Sequence, residues 1–409
     1  MIKELYQQTV REVSLNVSAG RVESLRKKNV TKSGCRVYDN GYIGVAGCLG
    51  QPTADTWAAA ERALARQVPT APPETGKERT REQGEPLISP EAFRAGCEEL
   101  LATLRAEFPD FVLSNKMQMM DVEMRLENDG GLKYVDRKRS YAMILVVKQV
   151  GSPNMFDSQL IAVSRRFDRE GWLAQAREIL TAHRTLLPMP EGKTARVIDN
   201  AGGGNALQGF GILDSALSGR EYLAGTSLFR DKLGQRLFDP RVTLAYDVTG
   251  TEWLAQDDVF FDKEGTTLPD DRATFIENGV LKNCVTNKKY AAQLGLTPTG
   301  GARGDYDSAP ALGLVSFLLD STGETLEQLT AGRECIFPLI ASGGDWTDAG
   351  DYATPVQCAY LFRDGKLVGR LPEFNLSVKL NELFGKDFVG VSADRFFGER
   401  RLVFHGTVQ

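Results

Sequence analysis

The N-terminal part of the chain changes its hydrophobic pattern several times. Residues 1–13, MIKELYQQTVREV, are polar with scattered apolar positions and predict an amphipathic helix. Residues 13–48 alternate apolar and polar side chains between Gly and Asn turns, which is typical of antiparallel strands. Three further segments have apolar positions at helical spacing after capping residues, and we predict helices at 53–68, 89–108 and 168–187.

The second half of the chain predicts short strands rich in glycine turns. Asn278-Gly279 and Asp364-Gly365 lie between alternating apolar residues, and both predict tight hairpins because they tolerate positive φ angles. Short helices are expected at 287–295 and 376–385, each ended by a glycine. The stretch FGILDSALSG, Phe210 to Gly219, predicts one short amphipathic helix between glycine-rich segments.

These elements predict an α+β fold in two domains. The first, residues 1–188, mixes antiparallel strands with helices, and the second, residues 189–409, is rich in β-strands. Residues 69–88 are rich in proline and charge, and we predict that they form an exposed linker.

Composition narrows the function classes. The formal net charge is −5 and charged residues make up 25%, so the chain lacks the basic surface expected of a nucleic-acid-binding protein. No apolar run is long enough to cross a bilayer, so we expect a cytoplasmic protein that does not associate with membranes. The six cysteines form no CxxC pair, and we expect them to be small buried hydrophobic residues.

Few residues offer familiar catalytic chemistry. The two histidines, His183 and His405, are far apart in sequence; we predict that the first interacts with a helix C-terminus and that the second is exposed. A zinc protease helix needs two histidines one turn apart, and no such pair exists. No GxSxG motif occurs, and the run NAGGGNA lacks the Lys-Ser/Thr pair of a phosphate loop. The acidic loop from Asp257 to Glu264 lacks calcium-loop spacing and is expected to be solvated.

The order of several stretches resembles the TldD/TldE family, also called PmbA/TldD. These stretches are ALSGREYLAGTSLFRDKLGQ, PRVTLAYDVTG, VFFDKEGTTLPDDRATFIENGVLKNCVTNKKYAAQLG, TGGARGDY and GDYATPVQCAYLFRDGKLVGRLPEFNLSVKLNELF. The strand-rich opening and the alanine-rich helix after it are also compatible with the family. The resemblance implies a two-domain TldD/PmbA-like fold; members were once described as modulators of DNA gyrase and later as cytoplasmic metallopeptidases.

Within this family, the TldD-type subunit carries an HExxxH zinc motif on the helix that corresponds to FGILDSALSG, and a cysteine near the C-terminus completes the metal site. The matching positions in this chain, including Gly211, Ile212, Ser215 and Ala216, hold no histidine or glutamate, and the C-terminal segment has no cysteine. The resemblance therefore implies a zinc-free TldE/PmbA-type subunit without catalytic residues or cofactor of its own, with zinc only in a TldD-type partner.

Partners and substrate contacts follow as expectations from the same resemblance. The chain is expected to pair with a TldD-type subunit or with itself, and to hold an unfolded or extended peptide. We predict that Asp262, Glu264, Gly265 and Arg303 line the substrate cavity; the alternative is a surface loop held by salt bridges.

Two other functions remain open on sequence alone. The chain could be a stand-alone homodimer that binds a peptide or protein without any proteolytic role. It could also be an enzyme that uses Asp214, Asp262 and Glu264 in chemistry without a recognisable motif.

Overall fold

The computed structural model describes residues 1–204, 206–250 and 258–409. Asp257, the first carboxylate of the acidic loop, lies outside these residues. The described part is a mixed α+β structure, as predicted, with mainly antiparallel sheets. None of its helices has the length and apolar character needed to cross a bilayer.

The first half is built on an eight-stranded N-terminal sheet with the order β4-β3-β2-β1-β6-β7-β5, where β8 pairs with the second half of β7. Helices α1, α2 and α3 accompany it. The bounds are β1 (Ile2–Ser18), β2 (Arg21–Asp39), β3 (Tyr42–Leu49), α1 (Ala54–Ala63), β4 (Val68–Pro69), β5 (Glu78–Gln83), α2 (Pro90–Glu107), β6 (Phe111–Asn128), β7 (Lys133–Gln149), β8 (Ser158–Ser164) and α3 (Arg169–His183).

The opening segment is a strand, so the predicted N-terminal helix is wrong. β1 pairs along almost its whole length with β2 on one side and β6 on the other. Because a central strand satisfies its backbone groups on both edges, this pairing overrides the weak helical spacing of residues 1–13.

The prediction of an exposed linker at 69–88 is also wrong in part. Residues Glu78–Gln83 form β5, which pairs in parallel with the first half of β7. The charges that suggested a solvated loop have partners far away in sequence: Arg79 pairs with Asp271, and Arg81 pairs with the fully buried Asp136.

The second half contains a C-terminal sheet whose strands pair in a closed ring. β16 pairs with β9 and with β18, and the ring continues through β20 and β22 back to β9. A smaller sheet has the order β12-β11-β10-β15. The strands are β9 (Thr194–Asn200), β10 (Leu244–Asp247), β11 (Arg272–Glu277), β12 (Val280–Leu281), β13 (Ala302–Arg303), β14 (Ala311–Leu312), β15 (Phe317–Leu319), β16 (Cys335–Ala341), β17 (Asp345–Trp346), β18 (Asp351–Arg363), β19 (Lys366–Arg370), β20 (Phe374–Lys379), β21 (Phe388–Phe396) and β22 (Glu399–Val408).

In the described part of this half, five short α-helices lie between these strands. Two of the predicted segments change: Phe210–Gly219 holds one complete helix, Gly211–Ala216, and the first residue of the next, and 376–385 holds the end of strand β20 followed by a single helical turn at Leu380–Leu383. The helices are α4 (Gly211–Ala216), α5 (Gly219–Ala224), α6 (Lys288–Leu294), α7 (Leu326–Thr330) and α8 (Leu380–Leu383).

The hydrophobic cores join the two halves of the chain. One core combines Tyr6 and Leu126 of the N-terminal sheet with residues of the closed ring and of α4. The other packs α2 and α3 against both the N-terminal sheet and strands such as β16 and β18. The change of sheet falls between α3 and β9, close to the predicted boundary at 188/189, but the division into two independent domains stays a prediction.

Local sequence signals for caps and turns are confirmed at several places. Ser89 caps α2 with Pro90 in the first turn, and both Asn278-Gly279 and Asp364-Gly365 have positive φ at hairpin turns.

Five of the six cysteines are buried. His183 is the last residue of α3, so its predicted place at a helix C-terminus is confirmed. The predicted interaction of a charged side chain there is wrong, because the residue is only 4% exposed, its Nδ1 lies 3.0 Å from the Tyr360 hydroxyl, and burial lowers its pKa to about 4.

Candidate functional site

Helix α4 is short and largely buried on one side. It follows a 3-10 turn at Gln208–Phe210, and Phe210 enters it with a positive φ of 57° and no side-chain cap. Leu213 is fully buried, whereas the side chain of Asp214 is partly exposed. Burial raises the pKa of Asp214 to about 6. Helix α4 therefore offers one carboxyl group, that of Asp214, whose pKa lies near neutral pH, among mainly apolar residues.

The four helix positions singled out in the sequence divide between core and surface. Ile212 and Ala216 point into the hydrophobic core. Gly211 and Ser215 are exposed, and the Ser215 hydroxyl donates to the Ile212 carbonyl at 3.1 Å.

Two open cavities adjoin α4 and share Ser215 and Glu221 in their walls. The smaller, about 220 Å³, we call the apolar cavity, and the larger, about 570 Å³, the acidic cavity. The apolar cavity is lined by Asp214, Arg220, Leu312, Leu314, Val315 and Phe317, among others. The acidic cavity is lined by Gly211, Thr226, Leu228, Asp345, Trp346 and Asp348, among others.

A second group of predicted site residues surrounds the carboxylate of Asp262, which is 5% exposed. Its Oδ1 accepts from the backbone N–H groups of Glu264 and Thr266, both at 2.9 Å, and its Oδ2 accepts from Ala302 N at 3.1 Å. Burial raises the pKa of this carboxyl, and the three N–H groups oppose that rise. Asp262 thereby ties the turn at 262–266 to strand β13.

Glu264, Gly265 and Arg303 are also held by protein contacts. Glu264 accepts from Lys288 N at 2.9 Å, and burial raises its pKa to about 7. Gly265 has a φ of +75°, and a Cβ there would lie 3.1 Å from Glu74. Arg303 donates to the carbonyls of Gly300 and Ala302, and to the Tyr246 hydroxyl at 3.1 Å.

The structure thus brings Asp262, Glu264, Gly265 and Arg303 into one neighbourhood, at the junction of the two halves of the chain. The walls of the two cavities beside α4 are formed by other residues. Among the described residues, no hydrogen bond or ion pair connects Asp214 to either Asp262 or Glu264. A role of this group in substrate binding stays a prediction.

Comparison with known proteins places the chain in a family. Residues 192–408, more than half of the chain, match the family model described as "PmbA/TldA metallopeptidase C-terminal domain". The chain belongs to the PmbA/TldD family. The likeness covers the closed ring, α4 and both cavities.

Solved structures agree in fold with this PmbA/TldD family member. The crystal structure of TldE from Thermococcus kodakarensis has a TM-score of 0.79 and 18% identity, covering 100% of this chain and 96% of that one. The structure of a putative modulator of DNA gyrase from Thermotoga maritima, TM0727, has a TM-score of 0.77 and 16% identity, covering 100% of this chain and 96% of that one. The structure of a putative modulator of DNA gyrase from Bacteroides thetaiotaomicron, BT3649, has a TM-score of 0.73 and 15% identity, covering 100% of this chain and 94% of that one.

A curated relative matches over a shorter stretch. The uncharacterized protein MJ0231 of Methanocaldococcus jannaschii is 29% identical over 153 residues, which are 37% of this chain. The match spans 36% of the length of that protein.

The name of the family raises the question of a metal, and the residues of α4 in this PmbA/TldD member do not fit zinc. Zinc takes imidazole, thiolate or carboxylate ligands, usually three or four together. α4 offers only the carboxyl group of Asp214, because Gly211, Ile212 and Ser215 carry no ligand of that kind. Within residues 1–204, 206–250 and 258–409, no group of three or more His, Cys, Asp or Glu is placed to hold an ion.

Sequence reasoning missed the buried charges next to the Asp262 turn. Glu4 and Arg36 are 1% and 0% exposed and form an ion pair at 3.3 Å. Arg36 also donates to the carbonyl of Lys263 at 2.6 Å, and the Lys263 ammonium lies 3.4 Å from the centre of the Tyr6 ring. Burial, with Arg36 and Arg303 nearby, lowers the pKa of Lys263 to about 7.

A signal for these charges was present in β1. Glu4 and Tyr6 are two residues apart, so a strand places both on one face. The predicted helix at 1–13 hid this alternation. The acidic cavity also had a signal, the turn GGDWTDAGD, which combines an aromatic residue with carboxylates at 343–351.

Proposed function

We propose that this chain is a non-catalytic, TldE/PmbA-like subunit that works with a TldD-type metallopeptidase partner on peptides, in proteolysis or maturation, in the cytoplasm. The main support is the residue composition of helix α4. The helix lies beside two open cavities, and its side chains are apolar, hydroxyl or glycine apart from one carboxyl group. A metal-dependent hydrolysis step therefore belongs to the partner.

In this proposal, the residues of this chain bind and orient the peptide. Strand β17 pairs only with β18 among the described residues, ends the C-terminal sheet and contributes Asp345 and Trp346 to the acidic cavity. A sheet edge suits an extended peptide, because backbone hydrogen bonds do not depend on the sequence that is bound. The likeness in fold to a protein called TldE supports the same role.

The proposal is tested by co-expression with an HExxxH-bearing TldD-type protein from the same genome. We expect a stable complex that hydrolyses unfolded peptides and loses that activity with a chelator, while this chain alone is inactive. A variant of the partner with Gln in place of its motif glutamate is the matched control, since it should keep the complex and lose hydrolysis. Chelator-insensitive hydrolysis by this chain alone would refute the proposal. A soluble homodimer that ignores the partner would favour the stand-alone binding protein instead.

A further inference from the structure

The acidic cavity is unbalanced in charge. Glu221, Asp345 and Asp348 contribute carboxylates to its wall, and the described residues that line it include no Lys, Arg or His. Glu221 already has partners, because Arg220 lies 3.0 Å from it and the Thr226 hydroxyl donates to it at 2.7 Å. The surplus negative charge therefore comes from Asp345 and Asp348.

These two aspartates have no basic partner in the described part of the chain. Two lysines, Lys379 and Lys386, line a neighbouring cavity together with Asp345. Lys379 pairs with Asp351 at 3.7 Å, and Lys386 pairs with Glu382 at 3.4 Å. Asp345 does accept from the backbone N–H of Trp346 through Oδ1 at 2.8 Å, which leaves its second oxygen for a ligand.

Trp346 gives the acidic cavity a rigid aromatic wall. Its ring stacks on Tyr352 at 4.7 Å between centroids, and the Tyr352 hydroxyl donates to the carbonyl of Ala206 at 2.8 Å. The indole N–H of Trp346 is buried and has no acceptor among the described residues. An aromatic face beside carboxylates is a favourable environment for a cationic side chain.

The apolar cavity lies on the other side of Ser215 and Glu221. Its wall includes Leu314, which is 64% exposed, and the buried Val315 and Phe317. A ligand that covers an exposed leucine next to a buried apolar wall removes apolar surface from water, and this stabilises the complex.

We propose that the two cavities together bind one extended peptide segment, with an apolar side chain in the apolar cavity and a Lys or Arg side chain in the acidic cavity. The inference rests on the proposed function and names its substrate class. Successive residues of an extended chain are about 3.3 Å apart. Two neighbouring cavities are therefore occupied by side chains that lie close together in the peptide sequence. The volume of the acidic cavity, about 570 Å³, lies in the range of ligand pockets.

The test measures binding of a fluorescein-labelled, acetylated octapeptide containing Leu-Ala-Arg to the purified full-length chain, by anisotropy. We expect citrulline in place of the Arg to weaken binding about tenfold or more, as for loss of a charge-assisted hydrogen bond. Alanine in place of the Leu should weaken it about fivefold to tenfold, in proportion to the apolar area lost. Equal affinity for the Arg and citrulline peptides would overturn the inference.

Variants of the chain assign the effect to the cavity. D345N/D348N should bind the Arg peptide as weakly as the citrulline peptide. The control D270N/D364N removes the same two charges from exposed turns where Asn also tolerates positive φ, and it should keep the preference. Loss of the preference in both double variants would indicate a general charge effect and refute the site. Trp346→Phe should remove any change in intrinsic fluorescence that the peptide causes in the wild type.

Failure of this inference and failure of the proposed function give different results. If the complex with the TldD-type partner hydrolyses Arg and citrulline peptides equally and D345N/D348N has no effect, the inference falls and the subunit role stands. If no complex forms but the isolated chain still prefers the Arg peptide, the inference on the cavity stands and the subunit role falls.

Discussion

The ion pair of Glu4 and Arg36 provides a test of how the two halves of the chain are joined. The guanidinium is 0% exposed; it bonds to Glu4 at 3.3 Å and to the Lys263 carbonyl at 2.6 Å, while its Nε and Nη2 have no partner in the described part. Glu4→Met leaves this cation buried without its counter-ion. We expect a loss of about 3–5 kcal/mol in the free energy of unfolding.

The double variant Glu4→Met/Arg36→Met removes both charges together. It leaves the Tyr38 hydroxyl, which donates to Glu4 at 2.9 Å, and the Lys263 carbonyl without these partners. The amide of Asn128 loses its bond to Glu4 at 3.2 Å but keeps its bond to the Glu74 carbonyl at 2.7 Å. At about 1 kcal/mol for each lost hydrogen bond, the double variant should be about 1–3 kcal/mol less stable than the wild type. It should therefore be more stable than the single variant.

The assay is urea denaturation followed by tryptophan fluorescence, with equilibrium reached from folded and from unfolded protein. The control pair is Arg94 and Glu98 on α2, at 2.8 Å but 52% and 45% exposed, and its removal should cost less than about 1 kcal/mol. A Glu4→Met variant within about 1 kcal/mol of the wild type would refute the reasoning. So would a double variant whose loss equals the sum of the two single losses.

Three further predictions concern Gly34, Asp214 and Asp262. A Cβ at Gly34 would lie 1.8 Å from the Tyr306 carbonyl oxygen, so Gly34→Ala should lower the free energy of unfolding in urea by about 1–3 kcal/mol. Gly211→Ala is the control, because a Cβ there meets nothing within 4 Å, and it should be neutral or stabilising. Folding raises the pKa of Asp214 to about 6, so its stabilising contribution is present at pH 4 and lost as the pH rises through 6. The Tm of the wild type should therefore fall relative to that of Asp214→Asn between pH 4 and pH 6. A constant difference in Tm would contradict this prediction. Asp262→Ala removes the acceptor of three backbone N–H groups, whose hydrogen bonds are buried in two cases and partly buried in the third, and should cost about 3 kcal/mol or more; an unchanged Tm with weaker peptide binding would instead favour the predicted substrate role.

Local chemistry predicted much of the fold. The helix starts near residues 53 and 89, the hairpin at Asn278-Gly279 and the helix ended by Gly295 depend on residues within a few positions of each other, and all are present. β1 and β5 were missed because their stability comes from strands far away in sequence. In β1 the short alternation at Glu4 and Tyr6 competed with a helical spacing of apolar residues, and the charges of β5 resembled those of a solvated loop.

The candidate site was predictable to a smaller extent. A helix within FGILDSALSG and its lack of zinc ligands could be recognised from the residue types alone. The turn GGDWTDAGD signals the acidic residues, but the cavities themselves could not be predicted, since their walls combine α4 with Leu314 and Asp345, which are brought together only by the closed ring and the small sheet. The buried setting of Asp262 was likewise hidden, because its partner Ala302 is 40 residues away.

Zinc analysis of the purified chain, alone and in complex with its TldD-type partner, addresses the central claim most directly. The account predicts that the isolated chain holds far less than one zinc per molecule after dialysis against zinc, and that the complex holds one zinc per partner. Stoichiometric zinc bound tightly by the isolated chain and lost on substitution of Asp214 would contradict it.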